Sequence, residues 1–205
     1  MKAKWLWAAV IGLSLHTPAW AEDTALEHFV ASLQTLEGEF RQSVSASGKA
    51  TQEATGRMAL KRPGRFLWDY TRPYRQTLIA DGEALWVYDP DLEQATRKPL
   101  DEALRNAPVS IFLEDRPLGE DFLITALGEE DGLSWFSLKP RRDVSDFSLI
   151  EIGMHEGLIR QMRLTDALEQ RTLVSFSALK LNEPIDDSRF AFTPPEGVDV
   201  VRGAR

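Results

Sequence analysis

The chain has 205 residues, a formal net charge of −8, 43% hydrophobic and 27% charged residues, and no cysteine. That length supports a domain with a substantial core, and the acidic balance excludes binding to nucleic acid or anionic membrane through bulk electrostatics. The missing cysteine excludes disulfides and thiolate metal sites, so stability has to come from packing.

Lys2 and Lys4 precede an apolar run from Trp5 to Leu15 that is too short for a stable membrane anchor. Ala19-Trp20-Ala21 fits the small-x-small pattern read by signal peptidase. Residues 1–21 are therefore expected to be a cleaved signal peptide and 22–205 a single domain, more acidic by the two lost lysines. The residue after the cut is Glu22, where a bacterial lipoprotein carries its lipidated Cys, so the mature chain is expected to be free of a lipid anchor.

Thr24 to Glu27 reads as a capping box, followed by Leu26, Phe29, Val30, Leu33 and Leu36 at helical spacing. An isolated helix of this length is marginal in water, so its stripe must lie on something apolar. From about Glu39 the period becomes two, with a turn near Gly48. Strands are expected at Gln52–Lys61, Arg65–Thr71, Gln76–Ala80, Ala84–Tyr88 and Glu93–Lys98, with a tight turn at Asp81-Gly82. Phe66, Trp68 and Tyr70 share one face of their strand, and Trp86 and Tyr88 share a face of theirs.

The alternation then breaks. Pro99 to Leu104 reads as a short helix, and Pro108 suits the first turn of another carrying Val109, Ile111, Phe112 and Leu113. Strands resume at Phe122–Leu127, Leu133–Lys139, Phe147–Met154, Leu158–Leu164 and Arg171–Leu181. The pattern predicts about ten or eleven strands in a curved or barrel-like antiparallel sheet, with helices on its concave side. Periodicity leaves open whether that interior holds a ligand or is filled as an ordinary core.

Catalytic candidates are few. His28 and His155 are not spaced as a metal pair. Ser177 and Lys180 match a Ser-x-x-Lys spacing that needs a helix, but they lie in a β pattern. Glu129, Glu130 and Asp131 lack calcium-loop spacing and read as a solvated hairpin tip. No glycine-rich phosphate loop is present. The expectation is a protein that is not an enzyme and takes no metal or cofactor. Arg62, between a strand and Pro63, reads by default as an exposed strand-end charge; as a permanent cation with five donors, it is also able to pin the carbonyl end of a short helix.

These stretches together resemble the LolA family of outer-membrane lipoprotein carriers. The resemblance rests on Phe40-Arg41-Gln42-Ser43-Val44, Gly56-x-Met58-x-Leu60-Lys61-Arg62-Pro63-Gly64-Arg65-Phe66-x-Trp68, and Asp81-Gly82-x-x-Leu85-Trp86-x-Tyr88-Asp89-Pro90. Leu92 to Thr96 and Phe190-Ala191-Phe192-Thr193-Pro194-Pro195-x-Gly197-Val198 complete it. It implies a mainly β fold: an unclosed antiparallel β-barrel whose α-helical lid encloses an apolar cavity. It also implies a periplasmic chaperone, here expected to be monomeric. Such a carrier takes lipoproteins from an ATP-driven (ABC) transporter in the inner membrane, shields their acyl chains and delivers them to an outer-membrane acceptor. Arg62 aligns with the family's functionally important Arg and is expected to latch the lid. Leu60, Phe66, Trp68, Trp86, Ile111 and Phe112 are the expected cavity or partner contacts, and the lid aligns with roughly Pro99 to Leu113. Some members carry a Phe-Met-Leu-Ile type run in the lid; here it is Val109-Ser110-Ile111-Phe112-Leu113. The alternatives are a binding or sensing protein for a small lipid on the same fold, the outer-membrane acceptor, against which Glu22 argues, and an esterase, which lacks a catalytic constellation.

Overall fold

The computed structural model describes residues 24–46, 49–104, 108–141 and 147–202. The expected signal peptide, the side chain of Thr24 and the turn at Gly48 lie outside what is described. Among the described residues no helix is long and apolar enough to cross a membrane.

After α1 (Thr24–Ser32) come β1 (Thr35–Ala46), β2 (Lys49–Lys61), β3 (Arg65–Arg72), β4 (Gln76–Asp81), β5 (Ala84–Asp89) and β6 (Gln94–Pro99). Two short helices follow, α2 (Leu100–Leu104) and α3 (Ser110–Leu113). The chain continues as β7 (Phe122–Glu130), β8 (Leu133–Pro140), β9 (Phe147–His155), β10 (Leu158–Asp166), β11 (Arg171–Leu181) and β12 (Asp199–Arg202), with a 3-10 turn at Asp187–Phe190. All twelve strands form one sheet in the order β12-β6-β5-β4-β3-β2-β1-β11-β10-β9-β8-β7. β12 and β7 are its free edges, so the sheet is open, as the resemblance implies.

Two details refine the expectation. Among the described residues there are twelve strands rather than about ten or eleven, and the additional strand, β12, runs parallel to β6 in an otherwise antiparallel sheet. The sequence gives little sign of it: Asp199–Arg202 is four residues long, follows a Pro/Gly segment and is exposed throughout. A second shift concerns Leu36, read as the end of the helical stripe but lying in β1, fully buried.

The inward face of the sheet, α1 and the lid helices share one apolar core. Leu26, Phe29 and Val30 of α1, with Leu33 just beyond its end, cluster with Leu36 and Phe40 of β1, Leu138 of β8 and Ile150 and Ile152 of β9. Asn182 fastens α1 to the sheet. Its Oδ1 accepts from the backbone N–H of Gln34 (2.8 Å) and Thr35 (3.2 Å), while its Nδ2 donates to the Ser32 carbonyl (2.9 Å). That supplies partners for backbone groups at a helix C-terminus.

The outward face carries a second apolar layer under the C-terminal segment, where Ile185 and Phe190 bury Ala59 and pack on Leu67. Glu37 ties that segment to β1 by accepting from Lys180 Nζ (2.9 Å) and from Arg189. These two bonds, Lys180 first, hold the Glu37 carboxyl below its ordinary value of 4.5 against the opposing effect of burial. The folded chain therefore binds fewer protons here than the unfolded one, so the contribution is complete above 4.5 and is lost as pH falls through the lower folded value. Glu37→Gln is expected to shrink the drop in melting temperature between about pH 7 and about pH 3. An unchanged drop in thermal melts of the two proteins would refute the assignment.

Candidate functional site

Strand register decides which side chains meet inside the sheet. Leu60 of β2 pairs with Phe66 of β3, which pairs with Ala80 of β4. Met58, Trp68 and Leu78 form a second row. Both rows face inward, and Phe66, Trp68 and Tyr70 line the same space, as their shared face in the sequence requires. Val174 and Phe176 of β11 and Ile159, Met162 and Leu164 of β10 stand opposite. The roof is the lid: Ala103, Leu104, Pro108, Val109 and Phe112. The cavity measures about 210 Å³ and is partly open at its mouth. None of the α1 side chains lines it, so α1 fills one part of the concave side and the lid covers the rest.

Arg62 stands where β2 ends. Its backbone N–H donates to the Gln34 carbonyl (2.9 Å), its peptide bond to Pro63 is cis, and its Nε donates to the Phe112 carbonyl of α3 (2.7 Å). A guanidinium from the sheet thus holds the backbone of the lid. Nη2 of the same side chain is buried and meets no hydrogen-bond partner among the described residues. Burial works against the guanidinium charge and lowers its pKa, while nearby Asp115 works in the opposite direction.

The aromatic wall is tightly ordered. Phe40 stacks on Trp68 with centroids 4.2 Å apart and meets Tyr70 edge-on at 5.2 Å. Phe176 meets Trp68 edge-on at 6.3 Å. Such arrangements favour the ring quadrupoles beyond plain burial. The Tyr70 hydroxyl donates to Gln42 Oε1 (3.0 Å). Burial pushes its pKa up, offset in part by the Trp68 and Gln42 dipoles.

Of the residues singled out from sequence, Leu60, Phe66, Trp68 and Phe112 line the cavity, and Arg62 reaches its roof. Ile111 is buried within the lid's packing beside the cavity and does not line it. Trp86 does not line the cavity. It pairs with Ile79, which pairs with Leu67, so it belongs to the outward row. There it packs on Phe192 at 5.3 Å, with Arg97 over its ring at 5.7 Å. The physical reason is that β3 to β5 are covered on both faces, so alternation alone cannot say which aromatics face inward. Gln42 and Met162 were missed as lining residues. Gln42 had a signal, since it occupies an inward position two residues after Phe40.

Elsewhere, the residues weighed for chemistry have other partners. Lys180 of the Ser-x-x-Lys spacing is taken up by Glu37 (2.9 Å). Glu130 at the hairpin tip pairs with Arg163 (2.9 Å), whose guanidinium lies 3.7 Å from the Trp135 ring centroid.

Comparison with known proteins agrees with this geometry. Residues 31–193 match the family described as outer membrane lipoprotein carrier protein LolA. An outer-membrane lipoprotein carrier protein of Chromobacterium violaceum is 38% identical over 199 residues, covering 97% of this chain and 96% of its own. One from Bordetella bronchiseptica is 40% identical over 188 residues, covering 90% and 89%. Among solved structures, a LolA superfamily protein of Nitrosomonas europaea superposes with a TM-score of 0.50 at 13% identity, covering 82% of this chain and 97% of its own. An uncharacterized conserved protein of Thermus thermophilus reaches 0.57 at 10% identity, covering 91% and 100%. At such identities the superpositions speak for the fold alone. With the sequence match spanning most of the chain and the lidded, open sheet in place, the chain belongs to the LolA family of outer-membrane lipoprotein carrier proteins.

Proposed function

We propose that this chain is a periplasmic chaperone. It takes lipoproteins from an ATP-driven transporter of the inner membrane, shelters their acyl chains under the lid and passes them to an acceptor in the outer membrane. The observation that carries the reading is an apolar cavity whose roof is held by Arg62 Nε on the Phe112 carbonyl. Residues 1–21 act as the cleaved export signal, and residues 22–205 form the carrier, a monomer that performs no catalysis.

The physics suits a carrier. Each buried acyl CH₂ contributes about 0.8 kcal/mol, so several chains bind a membrane almost irreversibly and extraction needs work from elsewhere. The carrier needs only a dry space that yields its contents to the next acceptor. At about 210 Å³ the latched cavity falls below the roughly 300–1,000 Å³ of drug-sized ligand sites. Several acyl chains therefore require the lid to move, which breaks the Arg62 bond, and re-forming that bond favours release.

The test is a release assay. Purified residues 22–205 are added to spheroplasts making a labelled outer-membrane lipoprotein, and the soluble fraction is fractionated by size. A soluble one-to-one complex is expected. Its absence, with an active transporter present, would favour the small-lipid reading, and lipids co-purified with the protein would then be identified by mass spectrometry.

A further inference from the structure

The cavity is not uniformly apolar. Among its described lining residues Gln42, Trp68 and Tyr70 alone carry polar side-chain atoms. They sit together where Phe40 pairs with Gly56 and Gly56 with Tyr70, away from the Arg62 end of the same strands. Trp68 Nε1 is buried and meets no acceptor among the described residues. The Tyr70 hydroxyl, which donates to Gln42 Oε1 at 3.0 Å and keeps lone pairs of its own, lies close by but outside hydrogen-bond geometry with Nε1. The bond orients the Gln42 amide and leaves Nε2 as its donor side. An indole N–H only donates. Phe40 stacked on one side and Phe176 edge-on at another hold the indole in place.

Buried donors in native structures nearly always have a partner, and one held by packing in a ligand cavity points to an acceptor brought by the ligand. A saturated hydrocarbon brings none. An amine or ammonium group would add donors to donors. A carbonyl oxygen has two lone pairs and no proton, which matches this set.

We propose that Trp68 Nε1 and the Gln42 amide form a carbonyl subsite that accepts the ester oxygen of an O-acyl chain inside the cavity. The proposal rests on the acyl-carrier reading above and adds to it. The cavity then selects for the acyl ester linkage as well as for apolar chain.

The test compares two synthetic lipopeptides of equal chain length, one an S-glyceryl cysteine peptide with two ester-linked palmitoyl chains and the other its dialkyl ether analogue. Each displaces an environment-sensitive dye from residues 22–205. The ester compound is expected to bind about fivefold more tightly than the ether. Trp68→Phe and Gln42→Leu should each bring that ratio close to one. The ratio is read within each protein, so a general loss of packing cancels. The Trp68 indole N–H resonance, identified by its loss in Trp68→Phe, should move downfield with the ester and stay with the ether. A wild-type ratio of one, or a ratio kept by both variants, would overturn the subsite while leaving the acyl-carrier reading intact. Failure of both lipopeptides to displace the dye would overturn the acyl-carrier reading and the subsite with it.

Discussion

An Arg62→Leu protein is expected to take lipoprotein from spheroplasts at the wild-type level and to deliver it poorly. The charge-assisted bond from Nε to the Phe112 carbonyl is 2.7 Å long, and such bonds contribute about 1.5–3 kcal/mol. Nη2 is buried with no acceptor among the described residues and offsets part of that gain. The low end is therefore the better guide, about a tenfold shift toward the open, loaded form. Leu keeps the apolar stem and removes the donor, so the cavity wall persists while the closed state loses its tie. Arg62→Lys keeps the charge without the planar fork and should fall between the two. The measurement is transfer of labelled cargo from the purified complex to outer-membrane vesicles. Delivery by Arg62→Leu at the wild-type rate would end the latch account.

Gly56→Ala should be among the most damaging small substitutions in the chain. A Cβ there would sit 2.0 Å from the Asp69 carbonyl oxygen and 2.7 Å from two carbons of the Phe40 ring. The carbonyl belongs to the paired β3 and cannot retreat, and the ring is stacked on Trp68. Overpacking of this kind costs about 3 kcal/mol or more. For a chain of this size that lowers the melting temperature by roughly 6–12 °C. Gly82 is the contrast: its φ of +102 favours glycine, but nothing lies within 4 Å of an added Cβ, so alanine there meets conformational cost alone, about 1 kcal/mol. If Gly56→Ala melted no lower than Gly82→Ala, the close approach at Phe40 would be misjudged.

Elements with a strong local pattern were legible in the sequence. Alternation marked the paired strands from β2 to β11, and Asp81-Gly82 marked the β4–β5 hairpin, whose turn is closed by Asp81 Oδ1 accepting from the N–H groups of Glu83 and Ala84. The two lid helices were marked by Pro99 and Pro108. What escaped was set by distant parts of the chain. Asn182 joins α1 to β1 from far along the chain, a contact that composition does not announce. Whether Trp86 faces inward or outward was not legible, because the C-terminal segment makes the outward face apolar too. Gln42, two residues after Phe40, is the polar member of the wall, a role that its residue type alone does not announce. Arg62 was identifiable only through its resemblance to a family motif, since a strand-end Arg is otherwise unremarkable.

The free edges at β12 and β7 bear on how much this protein is able to hold. In a closed barrel, strand number and shear fix the radius, and a larger interior means breaking a backbone ladder. A sheet with two edges has no fixed circumference. Its enclosed volume follows its coil and twist, and sheets keep their interstrand bonds across a broad range of twist. Swelling around cargo then draws on the soft bending of the sheet and on the lid, leaving the hydrogen-bonded framework whole. In the proposed acyl-chain role, one carrier would thereby fit cargoes with different acyl chains.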